Sequence, residues 1–381
     1  MITPTRKLLA AGLAAGIYRR NVYSGIMVML VTLLMLVTSC RRWTPDECTD
    51  CDCLSKDYKQ TNLVADTAGF GAARIDPLLV NAWGLAVGPT GAFWISTNGN
   101  AKLSPIYRYS VVYDKDGNML RAPVVLPVVE FNPNRPTGVV FNNTSRFGGS
   151  RFIFADEAGL LISWTSGDTA VDQPARYLFN AVYKGLAIAS DSGKPYIYAT
   201  NFHDGTIDVF DTAFKYIPYK QFTDPNIPAG FAPFNIRNID GLLYVTYAKQ
   251  KLPDKKVDEA GPGNGYVNVF RPDGSLVRRL ASQGTLNSPW GITQGCSGLG
   301  KGDDDVVLIG NAGDGHINAY RESGTFLGQL RNGNDPLKID GLWALESRVP
   351  GAGSKIFFTA GPGNGSHGLF GYLQKNELLQ K

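Results

Sequence analysis

Gly205-Thr-Ile-Asp-Val-Phe210, Gly265-Tyr-Val-Asn-Val-Phe270 and Gly315-His-Ile-Asn-Ala-Tyr320 are three copies of one phrase. Each opens on glycine, alternates apolar residues and ends on an aromatic ring. Looser copies are Gly159-Leu-Leu-Ile-Ser-Trp164, Pro105-Ile-Tyr-Arg-Tyr109 and Gly368-Leu-Phe-Gly-Tyr372. Alternation with a period of two reads as a β-strand. A unit of short strands recurring about every fifty residues reads as a propeller of radial sheets.

The rest of the repeat fills in around that phrase. Runs such as Arg151-Phe-Ile-Phe-Ala155 and Tyr196-Ile-Tyr-Ala199 precede it as a second strand. Before those lies a first strand: Trp83-Gly-Leu-Ala-Val87, Thr137-Gly-Val-Val-Phe141, Lys184-Gly-Leu-Ala-Ile188, Phe234-Asn-Ile-Arg237, Trp290-Gly-Ile-Thr293 and Asp340-Gly-Leu-Trp343. Asp116-Gly117, Asp273-Gly274 and Ser323-Gly324 supply hairpin turns to an outer strand. Counting first strands predicts an all-β, six-bladed propeller whose last blade lacks its outer strand. Thr61-Asn-Leu-Val-Ala65 is the spare segment that would complete that blade and cover its open edge.

Upstream of the repeats, Arg19 and Arg20 precede an apolar run from Ile26 to Val37, then Val37-Thr-Ser-Cys40. Basic, apolar and small residues in that order predict a signal peptide over 1–39. The run is shorter than the roughly 20 residues a spanning helix needs. Cysteine after small residues resembles a bacterial lipobox, which implies lipid on Cys40 and attachment to a membrane. Arg41 in place of aspartate implies, by resemblance to enteric lipoproteins, the outer membrane of a Gram-negative envelope. Residues 40–59 form a tether carrying Cys48, Cys51 and Cys53; 60–373 form the propeller, and 374–381 a short polar tail. In an oxidising envelope, a disulfide within the cysteine cluster explains it better than a metal site short of four ligands. Cys296 reads as a lone thiol. The formal charge of +4 resides in the leader: setting aside Arg6, Lys7, Arg19 and Arg20 leaves 33 basic residues against 33 acidic ones. No basic field recommends nucleic acid as a partner.

Asn62-Leu-Val-Ala, Leu79-Val-Asn-Ala-Trp-Gly-Leu-Ala86, Asn201-Phe-His-Asp-Gly-Thr-Ile-Asp-Val-Phe210, Asn287-Ser-Pro-Trp-Gly-Ile292 and Asp340-Gly-Leu-Trp-Ala344 together resemble an uncharacterised family of secreted bacterial and fungal β-propellers. Some bacterial members carry PEP-CTERM sorting signals; this chain carries a lipobox instead. The resemblance covers about residues 60–373 and implies a propeller without an assigned activity. NHL and gluconolactonase-like propellers are similar in fold alone, which carries little about function.

Two sets of equivalent positions are candidate sites. The residue before each first-strand glycine gives Trp83, Thr137, Lys184, Phe234, Trp290 and Asp340, expected as a ring near one mouth of the central channel. Three aromatics, a cation, an anion and a hydroxyl suit a small-molecule pocket; packing that plugs the channel is the competing explanation. The ends of the second strands give Asn98, Asp156, Asn201 and Asn311. These are either turn formers bonding local amides or oxygen ligands for calcium. His203, His316 and His367 lie in different repeats and read as surface residues. The sequence has no Gly-x-Ser-x-Gly elbow, His-Glu-x-x-His pair or P-loop. The expectation is therefore a lipid-anchored binding or scaffold module without a resident cofactor. Its partner would be an envelope protein, a glycan or a small molecule. The alternative is a calcium-assisted lactone or ester hydrolase of the gluconolactonase-like type.

Overall fold

Strands β1 (Tyr58–Ala65) and β2 (Arg74–Ile75) precede a run of antiparallel meanders. The first meander is β3 (Ala82–Val87), β4 (Phe93–Thr97), β5 (Ile106–Tyr113) and β6 (Met119–Val129). The second is β7 (Pro136–Phe141), β8 (Phe152–Asp156), β9 (Leu161–Trp164) and β10 (Val171–Gln173). The third has three strands, β11 (Tyr183–Asp191), β12 (Lys194–Asn201) and β13 (Thr206–Phe210). The fourth is β14 (Phe231–Ile239), β15 (Leu242–Lys249), β16 (Gly265–Phe270) and β17 (Leu276–Ser282). The fifth is β18 (Pro289–Gln294), β19 (Val306–Asn311), β20 (Ile317–Arg321) and β21 (Phe326–Gln329). A small ribbon, β22 (Arg331–Asn332) with β23 (Asp335–Pro336), leads to β24 (Leu342–Glu346), β25 (Ile356–Ala360) and β26 (Leu369–Lys375). The computed structural model describes residues 57–99, 106–113, 119–129, 136–173, 180–295 and 305–375. The expected leader, Cys40, Cys48, Cys51, Cys53 and Cys296 lie outside the described residues.

The fold is an all-β propeller. The recurring phrase forms the third strand of its meander, as in β13, β16 and β20. Innermost strands touch in the order β3, β7, β11, β14, β18, β24, and β24 returns to β3. Apolar faces are buried between neighbouring sheets: Ile153, Ala155 and Leu161 pack with Leu186, Ile197 and Phe210, for example. Burial on both faces explains why the inner strands are continuously apolar.

The expectation that only the last blade lacks an outer strand is corrected in the third repeat. Five sheets have four or five strands, whereas β11–β12–β13 has three. After Phe210 the Asp211 carboxylate caps a turn, bonding the amides of Ala213 and Lys215. A single bridge joins Phe210 to Tyr216. Pro218, Pro225 and Pro228 follow, and proline cannot donate to a ladder. An outer strand therefore cannot propagate there.

Strand β1 pairs antiparallel with β26, from Tyr58 opposite Lys375 to Ala65 opposite Leu369. Leu63, Val64 and Ala65 are fully buried by this pairing. Past its end, the Asp66 carboxylate accepts the Gly368 amide at 3.1 Å and lies 2.8 Å from His367 Nδ1.

Each innermost strand carries an irregularity near its start, at Ala82/Leu85, Pro136/Val139, Tyr183/Leu186, Pro233/Asn235, Pro289/Gly291 and Leu342/Leu345. Such a bulge bends the strand and re-aims its residues. The bulges bring neighbouring backbones into contact. A methyl group on Gly185 would lie 2.2 Å from Asn235 Oδ1 and 2.7 Å from Asn235 Cα. Gly185→Ala is expected to cost about 1–3 kcal/mol in denaturant unfolding, the usual cost of overpacking. Gly69→Ala, where a methyl meets nothing within 4 Å, should leave the midpoint unchanged.

Candidate functional site

The bulges decide what reaches the propeller axis. At four of the six, a residue's amide turns toward a hydroxyl on the second strand of its own sheet. Gly84 donates to Ser96 Oγ (2.8 Å), Gly185 to Thr200 Oγ1 (2.7 Å), Asn235 to Thr246 Oγ1 (3.0 Å) and Ala344 to Thr359 Oγ1 (3.1 Å). Several of these hydroxyls then donate onward to the next innermost strand: Ser96 to the Thr137 carbonyl, Thr200 to Phe234 and Thr359 to Trp83. Ala155 in β8 has no hydroxyl, and Thr137 itself donates to the Tyr183 carbonyl at 2.9 Å. The Asn235 amide reaches the Trp290 carbonyl at 2.7 Å. Between β18 and β24 the link lies further along, where the Thr293 and Ser347 hydroxyls meet at 2.9 Å.

These bonds bring five of the six expected ring residues together: Trp83, Thr137, Lys184, Phe234 and Trp290, all at least 95% buried. Asp340 is not among them. It is exposed, and its carboxylate accepts the Gly363 amide at 2.9 Å. The bulge of β24 puts Trp343 in the equivalent place instead. Trp343 stacks on Trp83 with ring centres 3.8 Å apart, and Trp290 stands edge-on to both at 6.0 and 6.3 Å. Phe234 meets the Trp343 edge at 6.3 Å. With Asp340 elsewhere, the Lys184 ammonium is paired with Glu157 and lies 5.2 Å from the Trp83 ring centre. Charge and ring quadrupole attract in that arrangement. The other Glu157 oxygen accepts the Asn98 amide at 3.1 Å. Asn81 binds the Asn98 carbonyl (3.1 Å) and the Trp343 indole N–H (3.0 Å). This end of the channel is thus filled by aromatic rings inside a polar belt. Asn81, Glu157 and Trp343 were missed from sequence; Trp343 alone had a signal, the Trp-Gly and Leu-Trp repeats.

Of the second-strand residues, Asn98 belongs to that belt, and Asn201 and Asn311 close turns of their own. Asn201 accepts the Val182 amide and donates to Asp204 and Asp208. Asn311 donates to the Thr285 carbonyl and to Asp314. Asp156 accepts the amides of Ala158 (3.0 Å) and Leu160 (2.8 Å) through one oxygen, while its other oxygen is buried without a partner. Among the described residues no three acids, histidines or cysteines converge as a metal site would need. Each histidine keeps local company: His203 with Asp204, His316 with Asp314 and His367 with Asp66.

The open space lies toward the other ends of the innermost strands. A cavity of about 550 Å³ is walled by Leu85, Val87, Val139, Leu186 and Ile188 and rimmed by Arg237, Asn238, Glu346 and Arg348. Arg237 pairs with Glu346, and Arg348 grips Asp240 through both oxygens at 2.9 and 3.0 Å. Arg237 also donates to the Leu345 carbonyl at 3.4 Å. Apolar side chains and polar groups share its lining about evenly, a mix that suits a small polar molecule.

Fold and site together define a propeller with a filled and an open end. No family model matches the chain. It is 32% identical over 341 residues to "Uncharacterized protein L690" of Acanthamoeba polyphaga mimivirus, covering 84% of this chain and 87% of that protein. It is 31% identical over 331 residues to "Uncharacterized protein R648" of the same virus, covering 81% and 78%. The chain belongs to the family of these two proteins. An α-L-arabinanase of Penicillium chrysogenum, solved with arabinobiose, superposes with a TM-score of 0.53 at 14% identity, covering 83% of this chain and 97% of that one. That likeness is one of fold alone.

Burial pushes the Asp156 carboxyl up to about 7; the Ala158 and Leu160 amides oppose the shift, and the nearby Asp172 and Glu157 charges add to it. Below the ordinary carboxylate range both folded and unfolded states hold the proton. Between about pH 4 and 7 only the folded state holds it, so stability falls as pH rises through that window, by at most about 4 kcal/mol. Asp156→Asn keeps the acceptor oxygen for the two amides. In denaturant titrations across pH 4–8, it should flatten this part of the stability profile.

Proposed function

We propose that this protein is a binding module whose ligand enters the axial cavity between Val87, Ile188 and Arg237, held at a membrane by lipid on Cys40. The cavity carries the proposal: about 550 Å³ of space lined by apolar side chains and polar groups alike is ample for a metabolite-sized molecule. Five ring residues are buried in packing, so Trp83, Thr137, Lys184, Phe234 and Trp290 act here as the stopper below the ligand rather than as its contacts. We also take the ring as six-bladed, with β1 as the outer strand of the last blade. The order of contacts among innermost strands and the register of β1 on β26 support that count.

The tether is supported by the Val37-Thr-Ser-Cys40 sequence. No helix among the described residues is long and apolar enough to cross a membrane. Residence at the outer membrane of a Gram-negative envelope is the setting in which such a tether works. The calcium-assisted hydrolase has less support. Asp156 retains a free carboxylate oxygen, but Asn201 and Asn311 are turned into their own loops.

A thermal-shift screen of sugars and other soluble metabolites tests the cavity. A ligand at about 100 times its Kd adds about 2.7 kcal/mol of stability. It should raise the Tm of the wild type and leave Val87→Trp, whose indole occupies the mouth, unmoved. No compound shifting the wild type, or equal shifts in Val87→Trp, would contradict the proposal. For the tether, Cys40→Ser should move the protein from the membrane to the soluble fraction; retention in the membrane would refute it.

A further inference from the structure

A second hollow, of about 800 Å³, opens between the β3–β4 hairpin and the β7–β8 loop. Its floor is aromatic: Trp94 stacks on Phe152 with ring centres 4.0 Å apart, and Trp164 lies 4.6 Å from Trp94. Phe141, half-buried, leans on Phe152 at 5.3 Å. Phe141, Asn143 and Thr144 line both this hollow and the axial cavity. The two spaces therefore adjoin at these residues, one near the axis and one further out between two sheets.

We propose that the two together form a groove that binds a linear, uncharged oligosaccharide, with one end in the axial cavity and the chain passing over Phe141. The inference rests on the binding role argued above and names the ligand class. Sugar rings present C–H faces to aromatic surfaces and hydroxyls to amides and guanidinium groups; Phe141 supplies the ring surface, since Trp94, Phe152 and Trp164 are at least 94% buried beneath it, and Asn143 and Arg151 supply the polar groups. Asn143 and Arg151 are exposed, and among the described residues neither side chain has a hydrogen-bonding partner. The wall is rigid before any ligand arrives. Asn142 donates to the Arg146 and Ser150 carbonyls (3.1 and 2.7 Å) and accepts from the Thr144 amide and hydroxyl (3.0 and 2.7 Å). A wall fixed in this way lowers the ordering cost of binding.

The outer part of the groove offers little to an extended peptide, because strand addition needs a run of unpaired backbone groups. There the Gly88 amide bonds Ala92, the Asn142 amide bonds Arg151 and the Arg151 amide bonds Trp164.

Calorimetric titration of the full-length protein with cello-, xylo-, manno- and chito-oligosaccharides of two to six residues tests the assignment. For the best-bound series, affinity should rise at least ten-fold from dimer to hexamer. Phe141→Ala and, independently, Asn143→Ala should remove that gain. Asn143 is exposed and bonds nothing within the described residues, so its substitution leaves the fold intact. A dimer bound as tightly as the hexamer, or a length dependence that survives both variants, would overturn the groove while leaving the axial cavity in place. Failure of every series to bind would overturn the oligosaccharide assignment. The metabolite screen with Val87→Trp then decides separately whether the cavity binds anything.

Discussion

The hydrogen bonds that pass from one innermost strand to the next are the constraint on which the rest of this molecule depends. A bulge turns an amide out of its ladder, a hydroxyl from Ser96, Thr200 or Thr359 accepts it, and the same hydroxyl donates to a carbonyl of the neighbouring sheet. All of these groups are buried. A buried donor or acceptor left without a partner costs about 1–3 kcal/mol, so each sheet fixes the position of the next. Close approach demands small residues, which is why glycine stands at 84, 138 and 185. Where Asn235 replaces it, the larger side chain reaches the Trp290 carbonyl itself.

One consequence is an axis with unlike ends. The residue beside each bulge is thrust inward, and with Trp83, Trp290, Trp343 and Phe234 in that position the rings fill the space. Further along, Leu85, Val139 and Leu186 are shorter, and the channel opens into a cavity. The Lys184–Glu157 pair at the filled end is nearly out of water. Such pairs contribute little net stability, because desolvation offsets attraction. Removing one partner nonetheless leaves the other charge uncompensated. The pair therefore holds the arrangement of the belt formed by Asn81, Asn98 and Trp343 rather than adding to the strength of the fold.

Much of the architecture could be read from the chain. The glycine-led phrase marks third strands, and the inner strands β3, β7, β11, β14 and β18 fall where their apolar runs place them. The last inner strand was misaligned because glycine serves two purposes. Gly84 and Gly185 permit backbones to touch, whereas Gly341 has a φ of 64° and makes a turn before β24 begins. Aligning by glycine chose Asp340; aligning by the bulge chooses Trp343. The three-stranded third sheet follows from prolines whose effect depends on where the strand should run. The cavity and groove could not be read at all. Val87, Phe141, Ile188 and Asn143 are ordinary residues, and only the relative placement of separate sheets makes them line one cavity.

The central claim is that the bulge bonds tie the sheets into one cooperative ring. Native-state hydrogen exchange on the amides of Gly84, Gly185, Asn235 and Ala344 addresses it most directly. If the ring is cooperative, these amides exchange only through global unfolding, with one shared free energy equal to that measured by denaturant. Exchange of any one of them through a local opening, with a lower free energy and a weak denaturant dependence, would show that the sheets are held independently and would contradict the account.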